Sequence, residues 1–191
     1  MDQTEQLLIP ELESYFSEFE LIKAEAQKIA DELSEQQFIR KPEGGGWSVA
    51  ECLSHLNVLG EQLLPRIEQA VDQGHNQGRY GAPPFRYGMI SRLFIQANSP
   101  SPQKKIKTMK SYNPLPVDEL NKTSVISTFV DLQDGFRIQV EKANGLDLKR
   151  IKVTSPALPL LRLSLGAWFA ATVAHEKRHL KQAERVVEEI L

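Results

Sequence analysis

Apolar residues recur every three or four positions in four long segments of the chain. From Leu8 to Leu33 the steps alternate between four and three, which predicts a helix with one apolar stripe. Similar patterns predict a second helix from Ser48 to about Asp72, a third from Ser124 to Ala143 and a fourth from Ser164 almost to Leu191. The chain shows no convincing alternation of apolar and polar residues with a period of two, so no strand is predicted. Four long helices favour an all-α, four-helix bundle.

Local signals mark several helix ends. Pro42 and the three glycines that end at Gly46 break the chain between the first two helices. Ser48 and Glu51 then have the spacing of a capping box, in which each side chain binds the other residue's backbone N–H. Asn144-Gly145 is a typical stop for the third helix.

The stretch between the second and third helices, residues 73–117, differs in composition from the rest. It holds six of the eleven prolines, seven positive residues and no acidic residue. Within it, Tyr87 to Ala97 is predicted to form a short helix. This long basic, Pro-rich insertion could face an anion or mediate self-association, or it could simply be a solvated face. Its positive residues are Arg79, Arg86, Arg92, Lys104, Lys105, Lys107 and Lys110.

Bulk composition bounds the class of protein. At 191 residues the chain is expected to form a single domain, 1–191, and its 41% hydrophobic and 25% charged content is ordinary for a soluble protein. A net charge of -2 gives no argument for nucleic acid or a membrane surface. A single cysteine excludes an internal disulfide and fits a reducing compartment. No apolar run approaches the roughly 20 residues that span a bilayer, so a cytoplasmic protein is expected.

Three of the four histidines form the most informative pattern. His175 and His179 are four apart on the fourth helix, so they share a face with Trp168 and point into the bundle. Buried imidazoles need a partner, which can be a metal ion or hydrogen bonds to other side chains. His55 on the second helix offers a third ligand, and three ligands leave open positions for reactive chemistry. His75 is expected to be a solvated loop residue.

Other polar residues near these histidines have competing interpretations. Glu176 completes an H-E-x-x-H string in which the glutamate of a metalloprotease is the general base. The longer metzincin pattern fails, because Gln182 and Arg185 stand where it has Gly and His. Glu176 is therefore either a catalytic acid–base group or a charge on the helix surface. Glu51 is a weaker acid–base candidate, and Cys52 either touches the site or is a small buried residue.

These motifs resemble those of the DinB/YfiT-like superfamily of metalloenzymes. The resemblance rests on Trp47-Ser48 leading to Glu51 and His55, spaced W-S-x-x-E-x-x-x-H, and on the H-x-x-x-H of the last helix. Together with the helix order it covers nearly the whole chain. The family fold that it implies is an up-down-down-up bundle with the basic insertion between helices 2 and 3.

The resemblance also implies a divalent metal ion (nickel, zinc, manganese or iron) on His55, His175 and His179, with water in the open positions. It implies a homodimer, a small-molecule substrate, and relatives that act as thiol S-transferases with low-molecular-weight thiols. The first hypothesis is thus a metal-dependent transferase or hydrolase that uses Glu176. The alternative is a non-catalytic metal-binding bundle, or an interaction module that uses the basic loop. A structural metal usually has four protein ligands, which favours the enzyme.

Overall fold

Four long helices form the frame of the protein in a computed structural model that describes residues 7–100 and 110–191. The long helices are α1 (Pro10–Asp31), α3 (Val49–Asn76), α5 (Lys122–Lys142) and α6 (Leu165–Ile190). Shorter elements are α2 (Glu35–Ile39), α4 (Met89–Asn98), β1 (Lys152–Thr154) and β2 (Arg162–Ser164). All four long helices predicted from the apolar periodicity are therefore present.

The apolar stripes meet in one core. Both α1 and α3 pack against α5 and α6, and Phe19 of α1 stacks on Phe136 of α5 with ring centroids 5.2 Å apart. Most side chains at the predicted stripe positions are fully or almost fully buried, which removes large apolar surfaces from water and stabilises the bundle. Among them are Leu12, Phe19, Ile22, Leu53, Leu56, Leu63, Ile67, Phe129, Phe136 and Val140.

The predicted helix caps fix the start of α3, which carries one of the candidate ligands. Ser48 Oγ accepts from the backbone N–H of Glu51 at 3.1 Å, and Glu51 Oε2 accepts from that of Ser48 at 2.9 Å. Lys41 Nζ lies 2.9 Å from the other carboxylate oxygen of Glu51. At its far end α3 continues to Asn76, so His75 belongs to the last helical turn rather than to a loop, although it is exposed as expected.

A short antiparallel hairpin, β1–β2, contradicts the expectation that the chain has no strand. Val153 pairs with Leu163, and both side chains are buried. Each strand has three residues, which is too short for a period of two to be visible in the sequence. The indole N–H of Trp168 donates to Val153 O at 3.0 Å and ties the hairpin to α6.

The segment between α3 and α5 contributes a covering helix. The predicted short helix is found as α4, which packs against α6. The chain entering α4 is held by Tyr87, whose hydroxyl donates to the carboxylate of Glu11 on α1. Lys104, Lys105 and Lys107 of the predicted basic stretch lie outside the described residues. No helix in the described ranges is both long and apolar enough to cross a membrane.

Candidate metal centre

The three predicted ligands meet between α3 and α6. Nε2 of His55 lies 3.0 Å from Nε2 of His175, and the ring of His179 is 4.6 Å from each of the other two rings, centroid to centroid. One ring nitrogen from each histidine lies within 4.8 Å of the others. The four-residue spacing on α6 stacks His175 and His179 one turn apart, and the packing of α3 against α6 brings His55 to them.

Burial keeps the three imidazoles neutral. The side chains of His55 and His179 are 2% and 5% exposed. Burial lowers the pKa of His55 and lowers that of His175 well below its usual value, and it lowers the pKa of His179 to about 3. The positive charge of Arg178 lowers all three pKa values further. A neutral imidazole is the form that binds a metal ion.

A backbone carbonyl determines which ring nitrogen of His55 is free to bind a metal ion. Nδ1 of His55 hydrogen-bonds the carbonyl oxygen of Tyr112, in the turn Lys110–Tyr112. A neutral ring that donates from Nδ1 carries its lone pair on Nε2, the atom that faces His175. Metal-bound histidines typically donate their second nitrogen to a carbonyl or carboxylate in this way.

The polar atoms of the cluster are not satisfied by protein groups alone. Nδ1 of His175 and Nδ1 of His179 are buried without a hydrogen-bond partner among the described residues. A hydrogen bond between the Nε2 atoms of His55 and His175 would account for their proximity, but it leaves these two nitrogens and the third ring unexplained. Buried polar groups without partners are destabilising, by about 1–3 kcal/mol each. What a divalent cation does fit is the convergence of one ring nitrogen from each of the three neutral histidines.

One side of the cluster is closed and the other opens into a cavity. Trp47 covers the closed side, with its ring centroid 5.0 Å from that of His55 and 5.7 Å from that of His179. The cavity has a volume of about 240 Å³ and is bounded by α3, α4, α6 and the loop that follows β1. Its walls are mostly apolar and include Leu59, Leu63, Phe94, Pro156, Ala157, Leu158 and Trp168. The open side offers room for a small molecule beside the histidines.

The structure places Glu176 away from this cavity. Its side chain is 3% exposed, and Oε1 accepts from Gln133 Nε2 of α5 at 3.0 Å. Burial raises the pKa of the Glu176 carboxyl to about 8. The interpretation of Glu176 as a surface charge is wrong, because the side chain lies between α5 and α6. A catalytic role for Glu176 remains a prediction, since the carboxyl does not line the cavity beside the histidines.

The other two candidates near His55, Glu51 and Cys52, have surroundings that fit a role in the fold. Glu51 caps α3 and pairs with Lys41, as described above. Cys52 is completely buried, and burial raises the pKa of its thiol to about 12. Neither residue belongs to the histidine cluster, so the interpretation of Cys52 as a small buried residue fits its position.

Arg178 is the functional candidate that sequence reasoning missed. Arg178 lines the cavity together with the three histidines, and its Nη1 donates to the carbonyl oxygen of Ala97, another lining residue, at 3.3 Å. The available signal was its position three residues after His175, which places both on one helix face. However, Arg178 is charged, and a charged residue on a helix is usually exposed to solvent.

The fold and the cluster define a helical bundle with a buried three-histidine site beside a cavity. The sequence model of the DinB superfamily matches residues 18–183, so the chain belongs to this superfamily and the predicted resemblance is confirmed.

A solved structure, YfiT from Bacillus subtilis, is similar over 96% of this chain and 90% of its own, with a TM-score of 0.60 and 11% sequence identity. That protein is described as "a probable metal-dependent hydrolase with an unusual four-helix bundle topology". At this identity the likeness supports the bundle fold alone. Comparison with curated proteins gives no match.

Proposed function

We propose that this protein is a metal-dependent hydrolase in which His55, His175 and His179 hold one divalent ion. The observation that carries the proposal is the convergence of three neutral imidazoles, those of His55 and His179 buried and that of His175 partly buried, at the edge of an apolar cavity. The description of the structural relative YfiT as a probable metal-dependent hydrolase supports the same assignment. The superfamily resemblance favours nickel, zinc, manganese or iron, and the up-down-down-up order of helices.

The surrounding residues have separate tasks in this proposal. A divalent ion on three imidazoles would act as a Lewis acid and lower the pKa of a water in an open position. The Tyr112 carbonyl orients His55 so that Nε2 faces the other ligands. Leu59, Phe94 and Trp168 give the cavity apolar walls, and a low-dielectric wall strengthens electrostatic interactions beside it.

The number of ligands separates this proposal from a structural metal site. A structural zinc usually has four protein ligands, whereas the cluster offers three, with a cavity on its open side. A non-catalytic bundle predicts that loss of the histidines changes stability but no reaction rate. The enzyme hypothesis predicts that hydrolysis requires both the metal and the three histidines.

Thiol transfer is a second candidate for the same site. The resemblance implies relatives that transfer low-molecular-weight thiols, and these thiols commonly carry carboxylates. The positive charge of Arg178 in the cavity wall favours an anionic thiol over a neutral one. The homodimer, which the resemblance implies, and the cytoplasmic location, which the composition favours, also remain proposals. Sedimentation of the purified protein measures the former.

Elemental analysis of the untagged protein tests the proposal. We expect about one divalent ion per chain in the wild type, and none in a His55→Ala/His175→Ala/His179→Ala variant. His75→Ala is the matched control, because His75 is exposed and its partner is the Lys142 carbonyl oxygen. The loaded proteins are then assayed against a panel of nitrophenyl esters and chromogenic amides, with chelated protein as a blank.

Two results would overturn the proposal. One is the absence of metal after reconstitution with nickel, zinc, manganese and iron in turn. The other is hydrolysis by the wild type that survives both chelation and replacement of the three histidines, because such activity would arise elsewhere.

A further inference from the structure

Arg178 places a positive charge in the wall of the cavity, one residue before a candidate ligand. The side chain is partly buried, and its hydrogen bond to Ala97 O engages one of five guanidinium N–H groups. No carboxylate among the described residues forms an ion pair with it. Arginine in such a position retains donors for a ligand, in a planar arrangement that matches a carboxylate.

The described part of the cavity lining offers no compensating negative charge. It consists of apolar side chains, the three neutral histidines, and the polar residues Asn98, Tyr112 and Ser155. A cation on the histidines would add further positive charge. The electrostatic potential of the cavity therefore favours an anion and disfavours an ammonium group.

The apolar wall defines the rest of the ligand. Phe94 and Trp168 meet edge to face with ring centroids 5.3 Å apart, and Leu59 and Leu63 lie on the α3 side. The indole N–H of Trp168 is already bound to Val153 O, so the residue presents apolar surface rather than a donor. A volume of about 240 Å³ lies just below the usual range of ligand pockets, roughly 300–1,000 Å³, and suits only a small molecule.

We infer that the cavity binds a small carboxylate with an apolar body, whose carboxylate lies on Arg178 and whose body lies against Phe94 and Trp168. This inference deepens the proposed function, on which it rests for the role of the ligand as a substrate. The binding itself depends on Arg178 and the apolar wall. Arg178 is assigned as a binding residue that selects anionic substrates and directs them beside the histidines.

Binding to the metal-free protein tests this assignment without any activity assay. The protein is stripped with a chelator and titrated by calorimetry with 3-phenylpropionate, its neutral amide 3-phenylpropionamide, and the cation 3-phenylpropylamine. We expect the carboxylate to bind at least about tenfold more tightly than the amide, because a hydrogen bond between two charged groups is stronger than one to a neutral amide. The amine should bind most weakly of the three.

Substitution of Arg178 should remove only the preference for the anion. In Arg178→Met the affinity for the carboxylate should fall at least about tenfold, while that for the amide changes less than about threefold. Arg178→Lys should retain part of the preference, because it keeps the charge but loses the bidentate geometry. Lys181→Met is the matched control: it makes the same charge change at an exposed position of α6 and should bind like the wild type.

The inference is overturned if the wild type binds the carboxylate and the amide equally, or if Arg178→Met keeps the carboxylate preference. Comparison of the three ligands on the wild type decides the question even if Arg178→Met fails to fold. Failure of the proposed function has a different signature, because it appears as absence of metal in the wild type. Arg178→Met should retain the wild-type metal content, since it leaves all three histidines in place.

Discussion

The Nδ1 atom of His55 forms a hydrogen bond with the backbone carbonyl oxygen of Tyr112, which lies 57 positions further along the chain. This contact connects the segment between α3 and α5 to the histidine cluster. It also determines which nitrogen of His55 is free, because a ring that donates from Nδ1 can accept or bind a metal only through Nε2. The segment between α3 and α5 thus also orients a candidate metal ligand.

The first prediction concerns this tautomer. In the metal-free protein above about pH 8, where ordinary imidazoles are neutral, His55 should carry its proton on Nδ1. Nitrogen-15 NMR of the imidazole rings measures the tautomer directly, with His55→Gln used to assign the signal. His75 is an internal control with the opposite tautomer. Its Nε2 lies 2.6 Å from the carbonyl oxygen of Lys142, so Nε2 should carry the proton. A proton on Nε2 of His55 would contradict the geometry.

The second prediction uses Trp47 as a reporter of metal binding. The ring centroid of Trp47 lies 5.0 Å from that of His55 and 5.7 Å from that of His179. The chain has one other tryptophan, Trp168. In a Trp168→Phe variant, nickel or cobalt should quench the fluorescence with saturation near one ion per chain, because open-shell ions quench at short range. Zinc, which has a closed shell, should quench far less.

The matched variant Trp47→Phe retains Trp168 and should show weaker quenching. Quenching that is equally strong after the three histidines are replaced by alanine would contradict the prediction, because it would locate the ion at another site.

Long-range periodicity explains why the frame and the histidine triad could be predicted. An apolar repeat sustained over twenty residues leaves little freedom in how a helix faces the core, so the i,i+4 pair His175 and His179 had to point inward with it. Grouping His55 with that pair depended on the packing of α3 against α6. The sequence motifs supported this packing only through their resemblance to the superfamily.

The features that escaped prediction are those that depend on tertiary contacts. Strands β1 and β2 are stabilised by pairing and by Trp168, and neither carries a local signal. Arg178 has a charge that usually indicates exposure, yet its long side chain reaches along the helix into the cavity. Glu176 is buried because Gln133 on another helix supplies a hydrogen bond, and no pattern within α6 reveals that partner.

The third prediction separates packing from catalysis at Glu176. Glu176→Ala should lower the free energy of unfolding by about 2–4 kcal/mol, because it leaves a void and removes the acceptor for Gln133. Glu176→Gln keeps the volume and an acceptor and should cost less than about 1.5 kcal/mol. Chemical denaturation measures both, with the exposed Glu188→Ala of the same helix as a control within about 0.5 kcal/mol of the wild type.

Kinetics of the same variants decide the predicted catalytic role. If Glu176 is the acid–base group, Glu176→Gln should retain its metal and lose turnover by at least about 100-fold. If the residue only packs, turnover follows the folded fraction of each variant. A stable Glu176→Ala protein would contradict the packing account.

The fourth prediction concerns the reactivity of Cys52. Burial raises the pKa of its thiol to about 12, above the ordinary value of about 8.5. Because the thiolate is the reactive form, Ellman's reagent at pH 8 should label the native protein at least about 100-fold more slowly than the unfolded protein. In denaturant one thiol per chain should react, and Cys52→Ala should give none.

The pH dependence of stability follows from the same shift. The folded state holds the Cys52 proton more tightly than the unfolded state, so its contribution is fully present below about pH 8.5 and is lost as the pH rises towards 12. Cys52→Ala should therefore lose less stability than the wild type over that range. Equal labelling of native and unfolded protein would contradict this placement of the thiol.

The fifth prediction tests how the cavity-covering segment is held to the bundle. A Cβ atom on Gly166, in the first turn of α6, would lie 1.8 Å from the Tyr87 hydroxyl, which donates to Glu11. Gly166→Ala must displace Tyr87 and should cost about 1–3 kcal/mol in thermal or chemical unfolding. Gly88→Ala is the matched control, because a Cβ there meets nothing within 4 Å and the residue has a φ of -65°, an ordinary value for alanine.

A double-mutant cycle then shows whether the cost arises at Tyr87. In a Tyr87→Ala background the steric conflict is absent, so Gly166→Ala should cost less than about 0.5 kcal/mol, and the two changes should be strongly non-additive. Both Gly166→Ala and Tyr87→Ala should also weaken binding of small carboxylates, because α4 supplies Phe94 and the Ala97 carbonyl that positions Arg178. An additive cycle would mean that Gly166 is required for another reason and that Tyr87 does not hold α4 in place over the cavity.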